Sequence, residues 1–286
     1  MNPFPLHQLF PDLPRQRIVD VGASPIDGVP PYDALRSSGR ADLVGFEPDE
    51  VQFRALLELD ERDATFLPHA IGDGQPGTLH VCKSPGMTSL LEPDQKVLSH
   101  FHGFSGWGEV TKTLPVQTMR LDDCPETKHT DYLKLDIQGG ELAALSGAVE
   151  LLSEALCVHI EVQFVPFYKD QPLFAELDQA LRAAGFMLHR FLPIHSRVFQ
   201  PLLVNDDIYA GLSQELWSDA VYFKNFADFD RLEVSALLKV AEIANDVYQS
   251  IDLAALALRH ADQLSGDSRE PAYLQALSNG IPAIVG

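Results

Sequence analysis

The stretch Arg17-Ile-Val-Asp-Val-Gly22, running on into Ala23-Ser-Pro-Ile-Asp-Gly28, decides the reading of this chain. A short run rich in β-branched residues that stops at a glycine and a turn-forming segment predicts a buried strand followed by a tight turn. Downstream, Tyr32 to Ser38 predicts a short helix closed by Gly39, and Ala41 to Phe46 a second strand. Glu47-Pro-Asp opens a predicted helix through Leu59, with Pro48 suited to its first turn. Thr65 to Ile71 reads as a third strand. Strands alternating with helices imply right-handed βαβ crossovers and a mainly parallel sheet.

Residues 72 to 112 interrupt this rhythm with seven glycines and several aromatics, including Ser84-Pro-Gly-Met-Thr-Ser89 and His100-Phe-His-Gly-Phe-Ser-Gly-Trp-Gly108. Such a segment inside an α/β domain suits a lid or substrate loop. The alternation resumes with a fourth strand at Thr130 to Asp136 and a helix from Gly139-Gly-Glu141 that places Leu142, Leu145 and Val149 on one face. A fifth strand is expected at Leu156 to Val162, a helix at Leu173 to Ala184 and a sixth strand at Phe186 to Leu192. A seventh, at Ala220 to Phe223, would close the sheet in antiparallel sense. The expected fold is α/β, with a doubly wound, mainly parallel seven-stranded sheet. Residues 1–16 read as a Pro-rich surface arm, 17–230 as the catalytic domain and 231–286 as a helical appendage that either covers the core or forms a homo-oligomer contact.

Composition narrows the function. Hydrophobic residues make up 45% of the chain, as in an ordinary packed globule. A net charge of -20, with no run of Lys and Arg, disfavours nucleic acid and anionic membranes as partners. Cys82, Cys124 and Cys157 fit no metal motif and read as reduced thiols. With neither a secretion signal nor a membrane-spanning run, the expected compartment is the cytoplasm.

Five constellations carry the candidate chemistry. Asp20-Val-Gly-Ala-Ser24 follows a strand, where open parallel sheets bind ligands. The loop lacks the Gly-x-Gly-x-x-Gly spacing of a dinucleotide site, and its acid suits a cationic ligand better than a pyrophosphate. Glu47, at the end of the second strand, is placed to accept hydrogen bonds from ribose hydroxyls. Asp73, in Ile71-Gly-Asp73, can accept from an adenine amino group, and equally can close a plain turn. Leu133-Lys-Leu-Asp-Ile-Gln-Gly-Gly-Glu141 delivers Asp136 to the top of the sheet, where it can orient an acceptor or act as a base. Lys134 is expected to pair with Glu141 or Glu161. In His159-Ile-Glu-Val-Gln163, alternation puts His159, Glu161 and Gln163 on one side, with His159 reading as a core histidine. His100 and His102, in the Gly-rich segment, are candidate mobile bases.

In this order, Asp20-Val-Gly-Ala, Gly45-Phe-Glu-Pro, Ala70-Ile-Gly-Asp, Leu121-Asp122, Leu133-Lys-Leu-Asp-Ile-Gln-Gly-Gly-Glu141 and Ile160-Glu161 resemble the FkbM-type methyltransferases over residues 17 to 223. The resemblance implies a class I, Rossmann-like fold, S-adenosylmethionine as cofactor, and methyl transfer to a hydroxyl of a small molecule or glycan. No metal is expected, because no second and third carboxylate ligand stands at obvious spacing from Asp136. It implies that Asp20, Gly22, Ala23, Ser24, Glu47, Pro48, Ala70, Ile71, Asp73 and Asp136 surround the cofactor. Asp136, Glu161 and His102 are then the catalytic candidates, with Glu141 on the acceptor side. The chain departs from the family where Ser24-Pro25 replaces an asparagine and a small residue. A nucleotide-sugar or dinucleotide enzyme, or a binding domain without chemistry, remains the alternative reading.

Overall fold

The computed structural model describes residues 4–24, 28–59 and 63–280. Pro25 to Asp27, in the loop expected to approach the cofactor, lie outside the described residues, as do the first three residues of the arm and the last six of the appendage. Among the described residues ten strands form: β1 Gln16–Val21, β2 Ala41–Phe46, β3 Ala64–Leu67, β4 Pro76–Cys82, β5 Val110–Gln117, β6 Tyr132–Leu135, β7 Cys157–Gln163, β8 Phe186–Phe191, β9 His195–Arg197 and β10 Gln214–Lys224. The main sheet has the order β3-β2-β1-β6-β7-β10-β8, with the short β9 added beside β10. The first five strands on this path pair in parallel, and β10 runs antiparallel to both its neighbours. This is the doubly wound fold expected, with β9 as an eighth strand.

Each face of the sheet is covered by a core of its own. On one face Val19, Val21, Leu133, Leu135, Val158 and Ile160 pack on Leu145, Leu152, Leu177 and Leu181 from helices Glu141–Ser146, Val149–Glu154 and Phe174–Ala183. On the other, Ile18, Tyr132, Cys157, Val221 and Phe223 pack beneath helices Val234–Glu242 and Ile251–Ser265. The C-terminal helices therefore cover the sheet. Leu6, Phe10 and Leu13 of the N-terminal arm are buried in that same core, and the Leu6 N–H donates to Asp246 at 2.9 Å. Full burial of a leucine contributes about 1.5–3 kcal/mol, which is why a Pro-rich arm with apolar residues tucks in instead of lying on the surface.

Several local expectations change. The second helix is Glu50–Leu57, because the Asp49 carboxylate accepts from the N–H groups of Val51 and Gln52 and fixes the start there, leaving Pro48 outside it. β3 stops at Leu67, before Pro68, and Ile71 makes only a lone bridge to Met119. The single helix expected after Gly139 is broken at Gly147, where a Cβ would lie 2.4 Å from the Gly72 carbonyl. The break resets the helical phase, so Val149 is 64% exposed instead of sharing the buried face of Leu145. From the 72–112 segment, β4 pairs with β5, which runs on past its end, as a separate two-stranded sheet. Their long separation along the chain hides this pairing from local pattern. No described helix is long and apolar enough to cross a membrane.

Candidate active site

The strand order reverses between β1 and β6, so the loops that follow these strands diverge and leave a crevice at their carboxyl ends. Gly22 lies at its floor. Its φ is +86°, and a Cβ added there would stand 2.0 Å from the Asp136 carbonyl oxygen. Only glycine combines that left-handed backbone with so close an approach. The N–H groups of Gly22 and Ala23 both donate to the Phe46 carbonyl, and the Asp136 N–H donates to Val21. These bonds bring the carboxyl ends of β1, β2 and β6 together.

A cavity of about 280 Å³ opens above them. Of the residues expected around a cofactor, Gly22, Ser24, Glu47, Pro48, Ala70, Ile71 and Asp136 line it. Glu47 is buried, and its Oε1 accepts from the Asp49 N–H at 2.7 Å. The buried Ser24 hydroxyl has no hydrogen-bond partner among the described residues. The opposite wall comes from the Gly-rich segment, through Leu79, Val81, Cys82, Pro85, Thr88 and Ser89. His69 and Gln138 also line the cavity without having been singled out in the sequence. A nucleoside fits this donor set: a carboxylate at the end of β2, an apolar slot between Ile71 and Leu79, an orphaned hydroxyl, and backbone that tolerates close contact.

Four expected residues, Asp20, Ala23, Asp73 and His102, lie elsewhere. Asp20 and Ala23 line a second cavity, of about 340 Å³, that meets the first at Gly22, Ser24 and Asp136. Asp20 accepts from the Tyr32 hydroxyl at 2.5 Å and pairs with Lys134 Nζ at 3.1 Å. Lys134 thus joins Asp20, because the β1–β6 register sets the two side by side, and its charge also acts on Glu161. Burial first, and then the Asp20 charge, push the Tyr32 hydroxyl well above its usual pKa. Asp73 is exposed and caps a turn through the Gln75 N–H. His102 lines neither cavity, and its Nε2 meets the Leu202 carbonyl at 2.9 Å.

The catalytic candidates Asp136 and Glu161 are joined by Gln138, whose Nε2 donates to Asp136 at 3.0 Å and to Glu161 at 2.9 Å. Gln163 donates a further bond to Glu161 at 2.6 Å, on the shared side that alternation predicts. The carbonyl oxygen of the Gln138 amide accepts from the Tyr168 hydroxyl, and the Gln138 backbone carbonyl accepts from Ser89, so the Gly-rich wall is tied to the acids. Burial pushes the Glu161 carboxyl well up, with the charges of Asp136, Glu141 and Asp219 adding to it. His159 is buried, with Nδ1 3.0 Å from the Tyr248 hydroxyl and Nε2 3.5 Å from Asp219. For Asp219 burial acts upward, but the bond to His159 and the charges of His159 and Lys134 outweigh it and hold the carboxyl below its usual range.

Glu141 is fully buried, its Oε1 accepting from the Ile137 N–H at 2.9 Å, and burial lifts its pKa from 4.5 to about 7. Because the folded value is the higher one, its contribution to stability is full below pH 4.5 and is lost as pH rises through about 7. Glu141→Gln keeps an oxygen for the Ile137 N–H and removes the titration. Unfolding by denaturant should show variant and wild type alike near pH 5 and the variant ahead by about 3 kcal/mol near pH 8. An offset that does not change with pH would contradict this.

Among curated proteins no relative matches this chain. Solved structures of similar fold include magnesium protoporphyrin IX methyltransferase from Synechocystis PCC 6803 with bound S-adenosylmethionine (12% identity, TM-score 0.37, covering 77% of this chain and 76% of that one). Precorrin-6y C5,15-methyltransferase from Geobacter metallireducens is another (10% identity, TM-score 0.38, covering 77% and 86%). A methyltransferase dependent on S-adenosylmethionine from Aquifex aeolicus is a third (11% identity, TM-score 0.33, covering 76% and 87%). Residues 20–188 match the model of the methyltransferase FkbM domain, a span that runs from the end of β1 through β7 and holds every residue of the first cavity, and the chain belongs to that methyltransferase family.

Proposed function

We propose that the protein transfers a methyl group from S-adenosylmethionine to a hydroxyl of a small molecule or sugar, at the seam between its two cavities. The observation that supports this most is that Gly22, Ser24 and Asp136 line both compartments. Methyl transfer is an in-line displacement, so donor and acceptor must approach one point from opposite sides, and alignment alone can contribute on the order of 7 kcal/mol. S-adenosylmethionine, the family's cofactor, supplies an electrophilic methyl on a cationic sulfonium.

In this reading Glu47 accepts the ribose hydroxyls, Ile71 and Leu79 enclose the base, and Gly22 lets the backbone close on the ligand. Asp136 orients the acceptor hydroxyl and takes its proton. Gln138 holds Asp136 and Glu161 in place by donating to both. His159 with Asp219 lines the acceptor compartment.

The test is incubation of the protein with methyl-labelled S-adenosylmethionine and a panel of sugars, phenols and amines, followed by mass spectrometry and NMR of the product. A methyl ether is expected. Methyl found only on nitrogen or carbon would overturn the hydroxyl assignment, and cofactor binding without transfer to any member would favour a binding domain.

A further inference from the structure

Both tryptophans of the chain stand in one layered stack. Trp107, from the Gly-rich segment, lies parallel to Tyr209 with centroids 5.8 Å apart. The Arg197 guanidinium sits over the Tyr209 ring at 5.8 Å and over the Trp217 ring at 5.0 Å, and His195 stacks on Trp217 at 4.8 Å. Residues between 195 and 217 thus meet Trp107 from the Gly-rich segment in one stack, with the Arg197 guanidinium over two of its rings.

Arg197 has no carboxylate partner within ion-pair distance among the described residues, in a chain where acids outnumber bases by 41 to 21. Its Nη1 donates to the Ser196 carbonyl at 2.8 Å, and its buried Nε has no partner. Asp207 acts on it through space without forming an ion pair. A half-buried guanidinium set over two rings with donors unspent is arranged for a planar or tetrahedral anion, which takes two donors at once. Tyr209 is 58% exposed, so the stack is open to a ligand at its edge.

The stack adjoins the acceptor compartment. Trp217 and Asp219 lie two residues apart on β10 and face the same side, about 7 Å from each other. Asp219 and Leu192 line the second cavity, and Trp217 opposes Gln163, the residue that bonds to Glu161. Through β10 the stack is thus joined to the wall of the cavity that Asp136 also lines.

We infer that the Arg197 stack binds the anionic group of the acceptor, and that the acceptor is a sugar bearing a carboxylate or a phosphate. This rests on the reading of the second cavity as the acceptor compartment, but binding at the stack is measurable without methyl transfer. Since Trp107 and Trp217 are the only tryptophans, intrinsic fluorescence of the whole protein reports this site. Glucuronate, glucose 6-phosphate, glucose and inorganic phosphate would each be titrated, with S-adenosylmethionine binding followed separately by calorimetry.

A saturable change with glucuronate or glucose 6-phosphate, and none with glucose at the same concentrations, is expected. Which of the two sugars responds names the anion. Arg197→Gln should weaken that response about tenfold or more while leaving S-adenosylmethionine binding unchanged. Equal responses to glucose and glucuronate would overturn the anion site, and inorganic phosphate matching the sugars would overturn the sugar assignment. An undiminished response in Arg197→Gln, shown folded by its melting temperature, would overturn the role of Arg197. Arg197→Lys, which keeps the charge but not the fork, should give an intermediate response; a merely structural arginine would instead show a lowered melting temperature with the response intact.

Discussion

Gly22→Ala should weaken S-adenosylmethionine binding by about 100-fold or more. Two costs act together. A non-glycine residue in the left-handed region costs about 1–2 kcal/mol, and the new Cβ would stand 2.0 Å from the Asp136 carbonyl, so β1 and β6 must separate. The floor of the first cavity is made where those strands meet, and Asp136 would move with its backbone. About 3 kcal/mol of combined loss corresponds to the 100-fold figure. Calorimetry with the cofactor, alongside a melting curve, checks it. A variant that melts lower but binds as well as wild type would show that the β1 turn serves only folding.

Asp136→Asn should act on the other quantity. Asparagine has nearly the same shape, and its oxygen can still accept from Gln138 Nε2, so the loop should stay in place. What is lost is the capacity to take a proton. Turnover should therefore fall about 100-fold or more, while cofactor affinity stays within a few-fold of wild type. Equal loss of affinity and turnover would make Asp136 a cofactor ligand and move the base elsewhere, with His159 and Asp219 the next pair to examine.

Much of this architecture was legible before the structure. The β-branched runs around Val19, Val44 and Val158 are continuous because parallel strands are buried on both faces, and that pattern gave the strand sequence and the fold class. Glycine at position 22 was informative because the turn requires a residue without a side chain. The hairpin of β4 and β5 was not legible, since 27 residues separate the two strands and β5 is mostly exposed, leaving little apolar alternation to read. The partner of Lys134 was also hidden: cross-strand register, not spacing along the chain, brings it to Asp20. Gln138 escaped for a similar reason, because its role comes from bonds to residues 2 and 23 positions away.

The Gly-rich segment was legible as a wall but not in detail. Thr88 and Ser89 reach the first cavity, while His102 points to Leu202. A run of glycines announces close packing and turns without saying which side chains will face inward.

The most direct test of the account is titration calorimetry of S-adenosylmethionine against the wild-type protein and Glu47→Gln. The substitution keeps an oxygen for the Asp49 N–H and removes the charge that would face the ribose. Binding at one site is expected in the wild type, and about tenfold or more weaker binding in the variant. A folded wild type that binds no S-adenosylmethionine, or a variant that binds it equally well, would contradict the assignment of the first cavity.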